Sequence, residues 1–185
     1  MHQLKNYRNI FSITCTLIAI FAQYSCTKKI NPSKNITIAS SGKVESIDPA
    51  RASTLKSYQL LNALGDTLYE LNKEGELIPR LAESKPIISK DKLKILIKLK
   101  KNILFHDGTP FDSSSMKFTI ERFQNIGTLN YILNKKIKSI ETPTKELLII
   151  NLNNPSSSIE GLLTSINLTP VSPKFYKDHF DKFLN

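Results

Sequence analysis

The chain has no tryptophan, two cysteines and three histidines among its 185 residues. So few histidines and cysteines limit metal binding, because a stable site needs three or four ligands that converge. His2 and His179 lie near opposite ends of the chain, and His106 stands beside a single aspartate. We therefore predict no metal site, and no pattern in the sequence calls for a cofactor.

The start of the chain has no acidic residue before position 26, whereas it holds Lys5 and Arg8. An apolar centre follows at residues 10–22. This centre is short for a membrane span, and Ser, Thr and Gln dilute the stretch around it. A basic start followed by such a centre is typical of a secretory signal peptide. We predict a signal segment at residues 1–26 and a polar tether at 27–34.

The two cysteines both fall in this predicted signal segment. Cys15 lies in the apolar centre and would be removed with it, so the mature chain would keep Cys26 alone and form no internal disulfide. Ser25 precedes Cys26 and a polar run follows it, which resembles a bacterial lipoprotein site. Such sites usually have Leu where this chain has Gln23. We predict lipidation at Cys26, with ordinary cleavage or an uncleaved anchor as the alternatives.

The charge is strongly basic, with a formal net charge of +10 over the whole chain. A basic surface suits nucleic acid, an anionic membrane or acidic ligands. The lysines lie along predicted strand faces without interleaved aromatic residues, which favours a solvated lysine face over a nucleic-acid site. These lysines are Lys92, Lys94, Lys98, Lys100 and Lys101. We therefore predict no nucleic-acid partner.

No catalytic constellation is visible in the sequence. The run Ser113–Ser115 has no base near it in sequence, and no nucleophile-elbow motif is present. Helix capping explains these serines better. For His106 and Asp107 we favour a structural role, in which His106 packs at a turn and Asp107 accepts hydrogen bonds from backbone N–H groups. The sequence therefore predicts a protein that is not an enzyme.

Hydrophobic periodicity predicts an α+β (mixed α/β) fold of hairpins and short helices. One helix would place Leu55, Leu60, Leu61 and Leu64 on its inner side. Pro143 would lie at the centre of a hairpin, and Pro155 would begin a short helix. The predicted helices span residues 52–64, 113–124, 156–163 and 173–184, and the predicted strands span residues 35–40, 67–71, 77–79, 82–88, 93–99, 137–141 and 146–152.

The most informative stretch runs from residue 93 to residue 124, where a strand, a turn and a capped helix follow one another. The turn contains Asp107 and Gly108, and glycine tolerates a positive φ there. Pro110 restricts the backbone just before the helix. Asp112 or Ser113 would cap the helix, whose apolar stripe contains Met116, Ile120 and Phe123.

This stretch resembles the signature segment of the family 5 solute-binding proteins of ABC importers. The match is carried by Phe105, His106, Asp107, Gly108 and Pro110, within the letters FHDGTPF. Three further matches occur in the family's order: SIDPA, which contains Asp48 and Pro49, then LYEL at 68–71 and IPRLAES at 78–84. Four matches in order are far more specific than any one of them. In the family the signature turn is a scaffold feature and not the ligand site.

The resemblance implies part of a periplasmic-binding-protein fold (class II, cluster C-like), in which two lobes close over a solute. Residues 35–51 would start the first lobe, residues 52–168 would form a small additional domain, and residues 169–185 would begin a truncated return to the first lobe. The second lobe is absent from the sequence, so the resemblance covers the N-terminal part of the family's architecture. Three residues depart from the family pattern: Lys85 replaces a tryptophan, Asn102 replaces a glycine and Ser115 replaces an acidic residue. The change at Ser115 predicts a weaker helix cap.

In the resembled family the loop after the first strand lines the solute cleft. This implies candidate solute contacts at Gly42, Lys43, Val44 and Glu45. The implied function is an extracytoplasmic solute-binding subunit, held at the membrane by Cys26, whose partners are a peptide or other small solute and ABC permease subunits. The alternatives are a stand-alone envelope lipoprotein that acts as an interaction scaffold, and the product of a decayed gene.

Overall fold

The computed structural model describes residues 41–176, together with Thr37 and Ala39. The predicted signal segment with Cys26 and the tether lie outside the described residues. The predicted strand at 35–40 lies outside them too, apart from Thr37 and Ala39. The described residues from position 41 onwards belong to one unit of the chain.

Three α-helices are present in the described residues: α1 (Leu55–Leu64), α2 (Ser113–Ile126) and α3 (Ile159–Leu162). Three short 3₁₀ helices lie at Pro49–Arg51, Asn130–Ile132 and Ile166–Leu168. Residues 173–176 are also helical, which agrees with the predicted start of the last helix. None of the helices in this part of the chain is long and apolar enough to cross a membrane.

The strands form two antiparallel sheets. The smaller sheet pairs β1 (Tyr69–Leu71) with β2 (Leu77–Pro79). The larger sheet contains β3 (Ile87–Ile88), β4 (Lys94–Lys98), β5 (Ile137–Thr144) and β6 (Leu147–Leu152), in the spatial order β3-β4-β6-β5. The predicted mixed α+β class is confirmed.

The core lies between helix α2 and one face of the larger sheet. Met116, Ile120 and Phe123 form the buried stripe of α2, as the helical spacing predicts. Alternate residues of the two central strands face this stripe, because successive side chains of a strand point to opposite faces. The buried strand residues are Ile95 and Ile97 from β4 and Leu148, Ile150 and Leu152 from β6.

The cap of α2 differs from the expectation of a weakened N-terminus. Asp112 Oδ1 accepts a hydrogen bond from the Ser115 backbone N–H at 2.9 Å. The Ser115 hydroxyl oxygen in turn accepts one from the Asp112 backbone N–H at 2.9 Å. Serine therefore closes the capping box at the position where the family usually has an acidic residue. Asn102 has a φ of 59°, which confirms that it can take the backbone conformation of the glycine it replaces.

Several predicted details are wrong. Leu55 and Leu64 are 69% and 48% exposed, so only part of the predicted inner side of α1 is buried. Strand β3 is two residues long, because before residue 87 the chain forms only an isolated bridge, between Ala82 and Leu99, the residue that follows β4. Pro143 lies inside β5 at an irregularity in the pairing, and the hairpin turns at residues 145–146. Pro155 precedes α3 by four residues and does not begin it.

Candidate functional site

The signature turn closes on itself through two backbone hydrogen bonds. Phe105 N–H donates to Thr109 O at 2.8 Å, and Gly108 N–H donates to Phe105 O at 2.9 Å. Gly108 has a φ of +79°, a conformation that favours glycine. His106 is exposed, so the expectation that it packs at the turn is wrong. No cluster of three potential metal ligands exists among the described residues.

Asp107 connects the turn to the segment near residue 172. Its Oδ1 accepts hydrogen bonds from the backbone N–H of Thr109 at 2.9 Å and from the hydroxyl of Thr109 at 2.6 Å. Its Oδ2 accepts one from the Ser172 hydroxyl at 2.5 Å. These donors stabilise the carboxylate, Ser172 most strongly, and lower the pKa of Asp107 to about 2. The turn therefore fixes the position of the chain where its last helix begins.

Asp48 forms a buried ion pair with Arg122 of helix α2. Arg122 Nη1 donates to Asp48 Oδ1 at 2.7 Å, and Arg122 Nη2 donates to Asp48 Oδ2 at 2.5 Å. Asp48 Oδ1 also accepts a hydrogen bond from Ala50 N–H at 3.1 Å, which caps the 3₁₀ helix that starts at Pro49. This bidentate geometry is the strong form of an arginine–carboxylate contact. It fastens the loop before Pro49 to the core.

Tyr176 completes the cluster around this ion pair. The Arg122 guanidinium carbon lies 4.1 Å from the centre of the Tyr176 ring, within the range of a cation–π contact. Burial and, to a lesser extent, the nearby Asp48 carboxylate raise the pKa of the Tyr176 hydroxyl to about 12. The cluster of Asp48, Arg122 and Tyr176 thus joins three separate parts of the chain. We call it the Asp48 clamp.

Asn167 provides a second tie to the loop that Asp48 begins. Its side-chain N–H₂ donates to Pro49 O at 2.7 Å and to Ala52 O at 2.8 Å. Asn167 is buried, and its side chain supplies a hydrogen-bond donor to each of these two carbonyl groups. Residues 48–52 are therefore held on both sides, by α2 and by the 3₁₀ helix at Ile166–Leu168.

The candidate solute contacts lie just before the clamp. Gly42, Lys43 and Glu45 are exposed, whereas Val44 is half-buried. A Cβ atom added at Gly42 would lie 3.6 Å from two carbons of the Lys56 side chain, which is ordinary contact. The next residue, Ser46, donates its backbone N–H to Ser57 Oγ in α1 at 3.3 Å. The loop is thus anchored at its C-terminal side.

An open apolar groove of about 760 Å³ lies beside these anchors. Its lining joins the clamp to the signature turn, since it includes Pro49, His106, Ser172 and Tyr176. Four large apolar side chains that line it are exposed, namely Ile47, Leu64, Leu104 and Phe175. These side chains give the groove an apolar surface that is open to solvent.

Sequence reasoning placed Asp48 in a motif but missed its neighbours Arg122 and Tyr176, and it also missed Asn167, which binds Pro49 O and Ala52 O. One signal was available for Arg122. Arg122 lies at helical spacing from the polar residues Ser115 and Thr119, and all three are buried on α2. The pairing itself had no local signal, because 74 residues separate Arg122 from Asp48 and 118 separate Asn167 from Pro49.

Comparison with known proteins bears directly on these motifs. The model of the bacterial extracellular solute-binding proteins, family 5, matches residues 76–185, which include the signature turn, helix α2 and Tyr176. The chain belongs to this family. The glutathione-binding protein GsiB of Escherichia coli O6:K15:H31 is 29% identical over 142 residues, which are 76% of this chain and 28% of that protein.

Solved structures share the fold of this family-5 chain. Listeria monocytogenes OppA bound to peptide superposes with a TM-score of 0.68 at 23% identity, over 75% of this chain and 30% of that one. NikZ from Campylobacter jejuni in complex with Ni(L-His) superposes with a TM-score of 0.64 at 26% identity, over 74% of this chain and 27% of that one. The predicted family and the predicted binding-protein fold are confirmed. The chain spans less than a third of the length of these relatives.

Proposed function

We propose that this chain supplies the N-terminal part of an extracytoplasmic solute-binding subunit of an ABC importer, and that the solute is a peptide. The match of residues 76–185 to family 5 carries this proposal. Relatives support the solute class, since one binds glutathione, itself a short peptide, and another was solved bound to peptide. A nickel–histidine binder shares the fold, so a metal complex is the second candidate solute.

The loop of Gly42, Lys43, Val44 and Glu45 is the proposed contact with the solute. Its exposure and its attachment to the Asp48 clamp support this role, because a contact loop needs a fixed base. Backbone pairing with an extended peptide would suit a receptor that accepts many side chains. Lobe closure over the solute would follow, and then docking on the permease.

The subunit performs no chemistry on the solute in this proposal. The serines that could suggest a nucleophile have structural partners. Ser113 Oγ donates to Thr144 O at 2.6 Å, and Ser115 belongs to the capping box. Asp107 is likewise engaged by Thr109 and Ser172. Binding and release are therefore the whole of the proposed activity.

The size and location of the native product test the proposal. An antibody to residues 52–168 is used to blot fractions of the source cells. We expect a band much larger than 20.9 kDa, because closure over a solute needs two lobes. A band at or just below 20.9 kDa would exclude a closing receptor and favour the envelope scaffold or the decayed gene. The proposed lipid on Cys26 predicts a band that stays with the membranes through a high-salt wash, and a soluble band would contradict it.

A further inference from the structure

The hairpin formed by β3 and β4 carries much of the positive charge of the chain. Residues 84–106 contain seven lysines and a single acidic residue, Asp91, so their net charge is +6 of the +10 of the whole chain. All seven lysines are exposed. They are Lys85, Lys90, Lys92, Lys94, Lys98, Lys100 and Lys101.

The hairpin lies at the edge of the larger sheet and also exposes apolar side chains. Its outer strand contains Ile87 and Ile88, which are 53% and 38% exposed. Lys94 and Lys98 lie on the outer face of β4, on either side of the half-buried Leu96. Ile87 pairs with Leu96 in the register, so apolar and basic side chains alternate across this face.

Among the described residues, no salt bridge involves any of the seven lysines of the hairpin. Lys94 is attracted by the Asp91 carboxylate without forming a salt bridge with it. Asp91 is occupied within the turn, where its Oδ1 accepts hydrogen bonds from the Ser89 hydroxyl at 2.5 Å and from Leu93 N–H at 3.0 Å. On β5, at the opposite edge of the sheet, Glu141 accepts a hydrogen bond from Asn151 at 2.6 Å.

Lys92 occupies the tip of the hairpin in an uncommon conformation. Its φ is 57°, in the left-handed region that glycine or asparagine adopts at lower cost. Lys92 N–H donates to Ser89 O at 2.9 Å, so this conformation closes the turn and places the lysine at the tip of the hairpin.

The composition of the hairpin favours a membrane over nucleic acid. Residues 84–104 contain no aromatic residue on which a base could stack, and no arginine that could form a bidentate contact with a phosphate. Lysine acts as a point charge, which suits a diffuse layer of anionic head groups. Exposed isoleucines next to such lysines suit the boundary between head groups and acyl chains.

We infer that the hairpin of residues 85–101 binds the surface of a membrane that contains anionic phospholipid. It would hold the small domain against the bilayer, independently of any lipid on Cys26. The inference rests on the proposed extracytoplasmic location but not on the solute. Vesicle binding needs neither solute nor permease, so its failure would leave the proposed solute-binding function standing.

The test is co-sedimentation of the full chain with vesicles of phosphatidylcholine alone and with vesicles that also contain phosphatidylglycerol. The apolar segment near the N-terminus contributes to binding on both kinds of vesicle. We therefore divide the partition coefficient on vesicles with phosphatidylglycerol by that on phosphatidylcholine alone, and this ratio reports the charge-dependent part of binding. The variant Lys90→Gln/Lys92→Gln/Lys94→Gln should lower this ratio at least tenfold at low salt, since each lysine near the surface contributes roughly fivefold. The control with the same net charge is Lys73→Gln/Lys135→Gln/Lys174→Gln, at three exposed lysines elsewhere, and should lower it far less.

Equal losses in the two triple variants would overturn the inference, because net charge and not the hairpin would then govern binding. Tighter binding to a double-stranded DNA fragment than to anionic vesicles at the same salt would overturn it as well. Ile87→Asn should weaken binding to anionic vesicles several-fold, and unchanged binding would contradict contact between the edge strand and lipid. Thermal unfolding of each variant establishes that the chain remains folded.

Discussion

Arg122 is the residue on which most of the described fold converges. It is about 9% exposed, and its two terminal nitrogens hold Asp48 while its flat face stacks on Tyr176. Its Nε is buried and has no hydrogen-bond partner in this part of the chain. A buried charge is tolerated only when it is paired. Each partner of the clamp therefore depends on the others.

Replacement of Arg122 should destabilise the chain strongly. Arg122→Met keeps the apolar length of the side chain but removes the bidentate partner of the buried Asp48 carboxylate, which then has only Arg51, whose Nε lies 4.0 Å from Asp48 Oδ2. We expect the free energy of unfolding to fall by about 3–5 kcal/mol, measured by urea denaturation. The double variant Asp48→Asn/Arg122→Met should recover part of the loss, because it removes the buried charge. A loss below about 1 kcal/mol in the single variant would contradict a structural role for the clamp.

The lowered pKa of Asp107 predicts that the stability of the chain depends on pH. This pKa of about 2 in the folded chain is below the value of about 3.9 for an unfolded aspartate. A lowered pKa contributes stability that is present above pH 4 and is lost as the pH falls towards 2. Asp107→Asn should therefore flatten the decline of stability between pH 4 and pH 2. Ser172→Ala should reproduce part of that change, since Ser172 is the strongest donor, and an unaltered slope in both variants would refute the account.

Contacts between residues that are close in sequence could be predicted, whereas contacts between residues far apart in sequence were missed. The positive φ of Gly108 and the backbone contact of Asp107 follow from neighbours in sequence. The contacts of Asp107 with Ser172 and of Asp48 with Arg122 need the folded chain, because 65 and 74 residues separate the partners. His106 was expected to pack and is exposed instead, since the turn closes through backbone groups and the Asp107 carboxylate.

Helix α2 is the element that the sequence predicts best. Its start, its buried stripe and its approximate end all follow from capping chemistry and helical spacing. The short strand β3 and the short helix α3 are predicted poorly. Their lengths depend on the packing of distant segments, and before residue 87 the chain forms an isolated bridge between Ala82 and Leu99 in place of a continuous strand. The irregular pairing of β5 likewise lets Pro143 remain inside a strand, which periodicity alone does not reveal.

The capping box of α2 yields a prediction with a matched control. Ser115→Ala removes the acceptor of the Asp112 backbone N–H, so the free energy of unfolding should fall by about 0.5–1 kcal/mol. Ser114→Ala changes an exposed serine of the same turn and should be neutral or slightly stabilising, because alanine favours helix. Chemical denaturation of the two variants side by side measures the difference. Equal effects would mean that the box contributes nothing.

At the scale of the whole molecule, the described part of the chain has its own core and a clamp that fixes the proposed solute loop. The family could be recognised from four short motifs, and the match over residues 76–185 confirms it. The groove of about 760 Å³ could not be foreseen, because its lining comes from distant segments that include Ile47, Leu104 and Phe175. Its position between the clamp and the signature turn depends on the packing of those segments.

Solute binding is the claim on which the account depends, and one measurement tests it directly. The native product is captured from the source cells with the antibody to residues 52–168 and is dialysed to equilibrium against short peptides, glutathione and a nickel–histidine complex. The account predicts saturable binding of a short peptide or glutathione. Gly42→Val should weaken it roughly tenfold by blocking the backbone of the proposed contact loop, whereas Gly161→Val, at an exposed glycine with open space around it, should not. No saturable binding of any of these solutes would contradict the account.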